Sequence, residues 1–502
     1  MSKNYIFLVL LLSGVFTVAQ DKKEEAPKPI PPAKSFVTYY QGTFGGKSIP
    51  YTATAKETYL TNMKGDSVAS FWSVSYVKKT DGNSAKRSVT FIFNGGPGSA
   101  SVWLHMGLFG PQLVQVDTDA KKDDGAAPYT LKKNENGLLD LTDMVFIDPV
   151  GTGYSRVIGK GKEKDYWGLM EDAKSVSQFI RTWITQNKRW MSPKYLAGES
   201  FGTTRAAEVA KQLEGNGQNM ALNGLILISQ ALDYAGSTST HHNVTSYITY
   251  LPSMAATAWY HKKAGQGKTL EAFVEECRDF TYNQYVPALY KGNGINTAER
   301  NEIAEKLAYF TGLKKNYILQ SDLRVLMPRF QKQLLYDKGL TIGRLDGRFM
   351  GDEYDDVADR PTLGDPASYQ IGAAYTAALN HYYASVLKVE MDRPYLTSNS
   401  KIGQKWRWRT VPDESYWEPT PVNTAGSLGE AMRRNTAMKV LVASGYYDLI
   451  TPFFDAEYTF ARNGIVKDRV KMTYYEGGHM MYTHQPDLIK LSSDIREFLT
   501  QN

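Results

Sequence analysis

One serine in this chain is framed by glycines at the spacing of a sharp strand-to-helix turn. Gly198, Glu199, Ser200, Phe201 and Gly202 follow the apolar run KYLA and precede a segment carrying the small residues Thr203, Ala206 and Ala207. A serine on such a turn presents its hydroxyl above the strand ends, where it can attack a carbonyl if a base takes its proton. In this arrangement an acid and then a histidine are expected later in the chain, each after a strand. Asp448 follows VLVAS and His479 follows KMTYY, in that order. None of the other six histidines follows a core strand. His105 lies near a glycine-rich stretch, His241, His242, His261 and His381 lie where no strand signal appears, and His484 precedes Pro486. Packing or surface roles are expected for these six. No Cys or His spacing suits a structural zinc site, and serine chemistry calls for no metal and no organic cofactor.

Attack on a carbonyl creates an oxyanion, which backbone N–H groups stabilise best when no side chain stands in front of them. The residue after the serine, Phe201, is positioned to supply one N–H. A second is expected from the stretch Asn94–Gly98, NGGPG, which follows the apolar run SVTFI. Glu199, beside Ser200, has two readings: a brace for the turn, or a substrate ligand.

The elements that must hold these residues can be read from periodicity. Residues 36–93 alternate in short runs broken by Gly, Asn and Asp, which predicts antiparallel strands. Strands at MVFID, KYLAG and GLILIS then alternate with helices over 166–187 and 201–213, the pattern of a mostly parallel sheet covered on both faces. Alternation stops after Ser229 and resumes at MKVLVAS, followed by a helix capped by Thr451 with Pro452 first, the strand VKMTYY and a last helix. The roughly 200 residues between read as a helical insertion. Within it helices are expected over 297–311, stopped by Gly312, and over 321–339, capped by Ser321 and closed by Gly339. Cys277 shares a helical face with Leu270, Phe273 and Val274, so it reads as a core residue. KWRWRT, residues 405–410, reads as an amphipathic strand.

The 502 residues are 42% hydrophobic and 22% charged, enough apolar material for a large core. The net charge of +6 comes from 58 basic and 52 acidic residues that are interspersed, which implies no nucleic-acid partner. Residues 1–20 read as a signal peptide, with a lysine, an apolar stretch from Tyr5 to Val18 and then small residues. That stretch is shorter than the ~20 residues of a bilayer span, so no stable membrane insertion is expected after cleavage. Residues 21–35, charged and proline-rich, form a tether. Export to the periplasm or exterior of a bacterium is expected. One cysteine leaves no internal disulfide, so the core must stabilise the chain.

In their order, NGGPGSAS, DPVGTGYS (148–155), GESF, SGYYD and GGHMM resemble the motifs N-G-G-P-G, D-x-P-x-G-x-G, G-E-S-Y, S-G-x-x-D and G-H-M of the serine carboxypeptidases, peptidase family S10. The resemblance covers about 36–234 and 438–502. It implies an α/β-hydrolase fold with a catalytic domain over 36–234 and 435–502 and a helical cap over 235–434. It further implies Ser200, Asp448 and His479 as the triad, Gly96 and Phe201 as the oxyanion hole, and Asn94, Gly95 and Glu199 as ligands of the C-terminal carboxylate of a peptide. Ser99 replaces the family's usual cysteine, Phe201 its tyrosine, and Leu108 a glutamate that partners the glutamate of G-E-S. The last change predicts a weaker carboxylate site. Two other readings stay open: an esterase, amidase or acyltransferase with the same triad, and a peptide-binding protein without turnover. The oligomeric state is not legible.

Overall fold

From residue 29 the chain runs into three long antiparallel strands, β1 (Ser35–Phe44), β2 (Lys47–Thr61) and β3 (Ser67–Lys78). A computed structural model describes residues 29–501 apart from 81, 83, 118, 123, 124, 216 and 419. The expected signal peptide and most of the tether lie outside the described residues. The sheet continues with β4 (Ser88–Phe93), β5 (Thr142–Asp148), the short β6 (Arg156–Val157), β7 (Lys194–Ser200), β8 (Gly224–Gln230), β9 (Lys439–Gly445) and β10 (Val470–Tyr475). Its order is β1-β2-β3-β5-β4-β7-β8-β9-β10, with β6 paired to β3. The six strands from β5 to β10 in that order are mutually parallel, so their C-terminal ends line one edge. The expected parallel sheet is present, and the early strands form its antiparallel flank.

The longer helices are α1 (Leu169–Gln186), α2 (Phe201–Glu214), α3 (Val244–Tyr260), α4 (Leu270–Phe280), α5 (Thr297–Thr311), α6 (Pro366–His381), α7 (Ala425–Arg434), α8 (Phe453–Phe460) and α9 (Gln485–Thr500). Side chains of the parallel strands sort by alternation into two cores. Ile226, Ile228, Leu441 and Ala443 face one, with Tyr375 and Leu379 of α6 and Leu491 and Ile495 of α9. Leu225, Leu227, Val440 and Val442 face the other, with Val176 and Phe179 of α1, Val209 of α2 and Leu428 of α7. Helices thus cover both faces.

A third cluster belongs to the insertion and gathers Phe273, Cys277, Leu307, Phe310 and Phe330. Cys277 is fully buried there, as its helical face predicts. The helix expected over 321–339 is broken. Ser321 ends a short helix (Lys315–Gln320), Asp322 and Leu323 adopt φ of 53° and 62°, and a new helix (Met327–Gln333) begins with Pro328 in its first turn. Proline lacks the N–H that an interior position needs, which favours Pro328 in the first turn of a new helix over the middle of a long one. KWRWRT is also corrected. Its Lys405 ends a short helix (Ser400–Lys405), and Arg407 makes only an isolated bridge to Gly168.

Candidate active site

Ser200 closes β7 and α2 begins at the next residue. Its backbone has φ 59° and ψ −132°, a conformation that costs a non-glycine residue about 1–3 kcal/mol and persists only when neighbours fix it. Thr203 does so: its hydroxyl donates to the Ser200 carbonyl at 2.7 Å and accepts the Ala231 N–H at 2.7 Å. The half-buried Ser200 is in register with Gln230 at the end of β8, and the neighbouring Ser229 hydroxyl donates to the His479 carbonyl at 2.7 Å. The ends of β7 and β8 are thereby tied to the loop after β10.

Asp448, three residues past β9, is completely buried, and all of its acceptor positions are filled. Oδ1 accepts the N–H groups of Ile450 (2.7 Å) and Thr451 (2.9 Å), and Oδ2 accepts the Thr451 hydroxyl (2.8 Å) and His479 Nδ1 (2.8 Å). An ionised carboxylate only accepts, so Nδ1 carries the proton and Nε2 keeps its lone pair. Burial pulls the His479 pKa down, but the charge and hydrogen bond of Asp448, with Glu199 adding to them, carry it above its ordinary value; Arg344 acts the other way. Thr451 was expected to cap α8. The helix instead starts at Phe453 with Pro452 at the cap, and the Thr451 hydroxyl is spent on Asp448.

The glycine loop lies directly against the start of α2. A Cβ on Gly95 would come within 2.5 Å of the Phe201 nitrogen, so any side chain there would cover that N–H. Gly96 has φ 107°, which L side chains rarely adopt. Arg205, 1% exposed, braces this junction. It donates to the Asn94 carbonyl at 2.6 Å, pairs with Asp172 of α1 at 2.6 Å, and lies 5.2 Å from the Phe201 ring centroid. Trp406 and Trp408, whose alternation lay in KWRWRT, cover that ring at 5.2 and 5.7 Å between centroids. Arg205 carried no sequence signal of its own, because its partners lie in α1 and in the loop after β4.

Glu199 is 3% exposed, beside Ser200 in the chain. Asn94 Oδ1 accepts the Leu104 N–H at 3.0 Å, which turns its Nδ2 toward Glu199 Oε1, 2.9 Å away. Leu108, at the position of the family's second acid, is buried in the apolar core. The other Glu199 oxygen accepts the Tyr482 hydroxyl at 2.6 Å, a partner the sequence did not announce. Gly107 makes room for it, since a Cβ there would meet the Tyr482 ring at 2.5 Å. Burial pushes the Glu199 pKa up to about 7, with His479, Tyr482 and Asn94 restraining the rise and Asp448 adding to it. The structure therefore brings Asp448 to His479, Asn94 to Glu199, and Gly95 to Phe201. Such a site can combine a serine, a general base, exposed N–H groups and a carboxyl able to donate a proton in mild acid. Among the described residues no group of His, Cys, Asp or Glu could hold a metal ion.

The sequence profile described as serine carboxypeptidase, peptidase S10, matches residues 48–487. The chain is similar to a carboxypeptidase Y homolog of Arthroderma benhamiae, 32% identical over 150 residues, and to serine carboxypeptidase-like 16 of Arabidopsis thaliana, 26% identical over 166 residues. Those segments are 29% and 32% of this chain and span only 26% and 37% of the two relatives. In fold it is similar to Kex1Δp, a prohormone-processing carboxypeptidase from Saccharomyces cerevisiae, with a TM-score of 0.54 and 14% identity, covering 90% of this chain and 91% of that one. With the profile spanning most of its length, this chain belongs to the serine carboxypeptidase family, peptidase family S10.

Proposed function

We propose that the chain is a serine-type carboxypeptidase that releases C-terminal residues from peptides through an acyl-enzyme. The Ser200 hydroxyl attacks the scissile carbonyl and its proton passes to His479 Nε2, while Asp448 holds the imidazole and stabilises its charged form. The N–H groups of Gly96 and Phe201 receive the oxyanion. Collapse breaks the C–N bond, and the proton held by His479 goes to the departing amine. Water, losing a proton to the same nitrogen, then hydrolyses the ester and restores Ser200. Asn94, Gly95 and Glu199 bind the carboxylate of the departing residue. The N-terminal apolar run supports export of this activity.

The observation that carries the reading is Glu199, a buried carboxyl adjoining Ser200 that stays protonated until about pH 7. A protonated carboxyl can donate a hydrogen bond to a substrate carboxylate, whereas an ionised one repels it. One such bond is worth about 1.5–3 kcal/mol, so a free-acid peptide should exceed its C-terminal amide by about 10- to 100-fold in kcat/KM. The preference should be full in mild acid and fade as pH rises through about 7. Glu199→Gln, which donates without titrating, should flatten that dependence. Equal cleavage of acid and amide at every pH from 4 to 8 would replace this reading with the broader one of an esterase, amidase or acyltransferase.

A further inference from the structure

Of the twenty arginines, Arg344 alone has no side-chain hydrogen bond or ion pair with another described residue. Its main chain is nevertheless fixed between the two loops of the site. The Arg344 N–H donates to Asp365 at 2.9 Å, its carbonyl accepts the N–H of Leu449, next to Asp448, at 3.0 Å, and the carbonyl of Leu345 accepts the His479 N–H at 2.5 Å. Asp365, the nearby carboxylate, is occupied by the N–H groups of Arg344, Leu345 and Ala367. The exposed guanidinium thus springs from a fixed backbone and makes no hydrogen bond or ion pair with another described residue. Its charge is felt at His479, at Asp365 and at Tyr250, whose hydroxyl donates to the carbonyls of Ser237 and Ile450. The groups that set Glu199 are different: His479, Tyr482, Asn94 and Asp448.

We infer that Arg344 is the receptor for an acidic side chain, aspartate or glutamate, on a peptide residue flanking the scissile bond. The inference rests on the carboxypeptidase reading of the same site and adds a substrate class to it. An unpaired cation near His479 opposes formation of the imidazolium on which proton transfer depends. A substrate carboxylate would cancel that charge as it binds, so an acidic residue should aid both binding and turnover. The terminal carboxylate is assigned to Glu199 and its neighbours, which leaves Arg344 for a side chain.

The test uses the full chain and N-blocked dipeptides in which glutamate replaces glutamine before or after the scissile bond. Dissociation constants are measured by calorimetry on Ser200→Ala, so no turnover is needed, and kcat/KM on the chain with Ser200 in place. The glutamate peptide should be favoured by about two- to fivefold at low salt at one of the two positions, less at high salt. Arg344→Gln on each background should bring the ratio to one, and Arg344→Lys should keep part of it. A ratio unaltered by Arg344→Gln, or no glutamate preference at either position, overturns the inference. An Arg344-dependent preference in binding together with equal cleavage of acid and amide would sustain it and refute the carboxypeptidase reading instead.

Discussion

Two histidines of this chain are almost equally hidden from water, His105 at 1% and His479 at 3% exposure, and their surroundings drive them apart. His105 lies flat on Phe146, 4.1 Å between centroids, with Tyr382 and Tyr383 around it, and its Nε2 meets the Tyr76 hydroxyl at 2.7 Å. Burial without an opposing charge pushes its pKa down to about 3, so it stays a neutral packing residue at ordinary pH. His479 suffers the same burial, yet Asp448 at 2.8 Å more than reverses it. Burial is common to both; the Asp448 carboxylate, with Glu199 adding to it, makes one of them a base that can store a proton.

Removing that carboxylate should make the two regions alike. Asp448→Asn should lower the His479 proton affinity and allow the wrong tautomer, cutting kcat by about 10⁴-fold. Rates followed from pH 5 to 9 test this, and a loss below tenfold would break the contrast. In the other region, Tyr76→Phe should leave the ring nitrogen of His105 unpaired in the core and cost about 1–3 kcal/mol of stability. Denaturant unfolding reads this loss, and kcat/KM should stay within about twofold because the ring of His105 packs on Phe146 and tyrosines and bonds to none of Ser200, Asp448 and His479. The smallest effect concerns Glu199. The Tyr482 hydroxyl favours its ionised form, so Tyr482→Phe should move the midpoint of the acid-over-amide preference upward from about 7. By the worth of one hydrogen bond to a charged group the move should be about one to two pH units. An unmoved midpoint would reduce Tyr482 to a space filler.

What could be read from the sequence was local or ordered along the chain. The Ser200 turn needs Gly198 and Gly202 within five residues, and its conformation is as expected. Asp448 and His479 could be paired because they follow successive strands in the required order, and the structure joins them. Tyr482 could not be found this way, since its part depends on Glu199, 283 residues earlier. Thr451 before Pro452 carries the same signal as a helix cap, and only the position of Asp448 diverts its hydroxyl. The alternation in KWRWRT did report one shared face, Trp406 and Trp408, but not that the face covers Phe201.

The insertion is stitched into the chemistry. Leu449, directly after Asp448, is buried in the insertion's own cluster, and Tyr447, Phe453 and Phe454 pack with Ala256, Leu270 and Val274. Leu345 and Arg344 bond to the loops of His479 and Asp448, Asp346 accepts the Gly478 N–H at 3.0 Å, and the Gly347 N–H reaches the Tyr447 carbonyl at 2.9 Å. An insertion joined this way is tied by its main chain to the loops that carry both the acid and the histidine. Residues 343–349 are therefore a seam in the chain's architecture: anyone exchanging the insertion between relatives must carry that seam with it, or transplant a roof while removing the wall that holds the hearth.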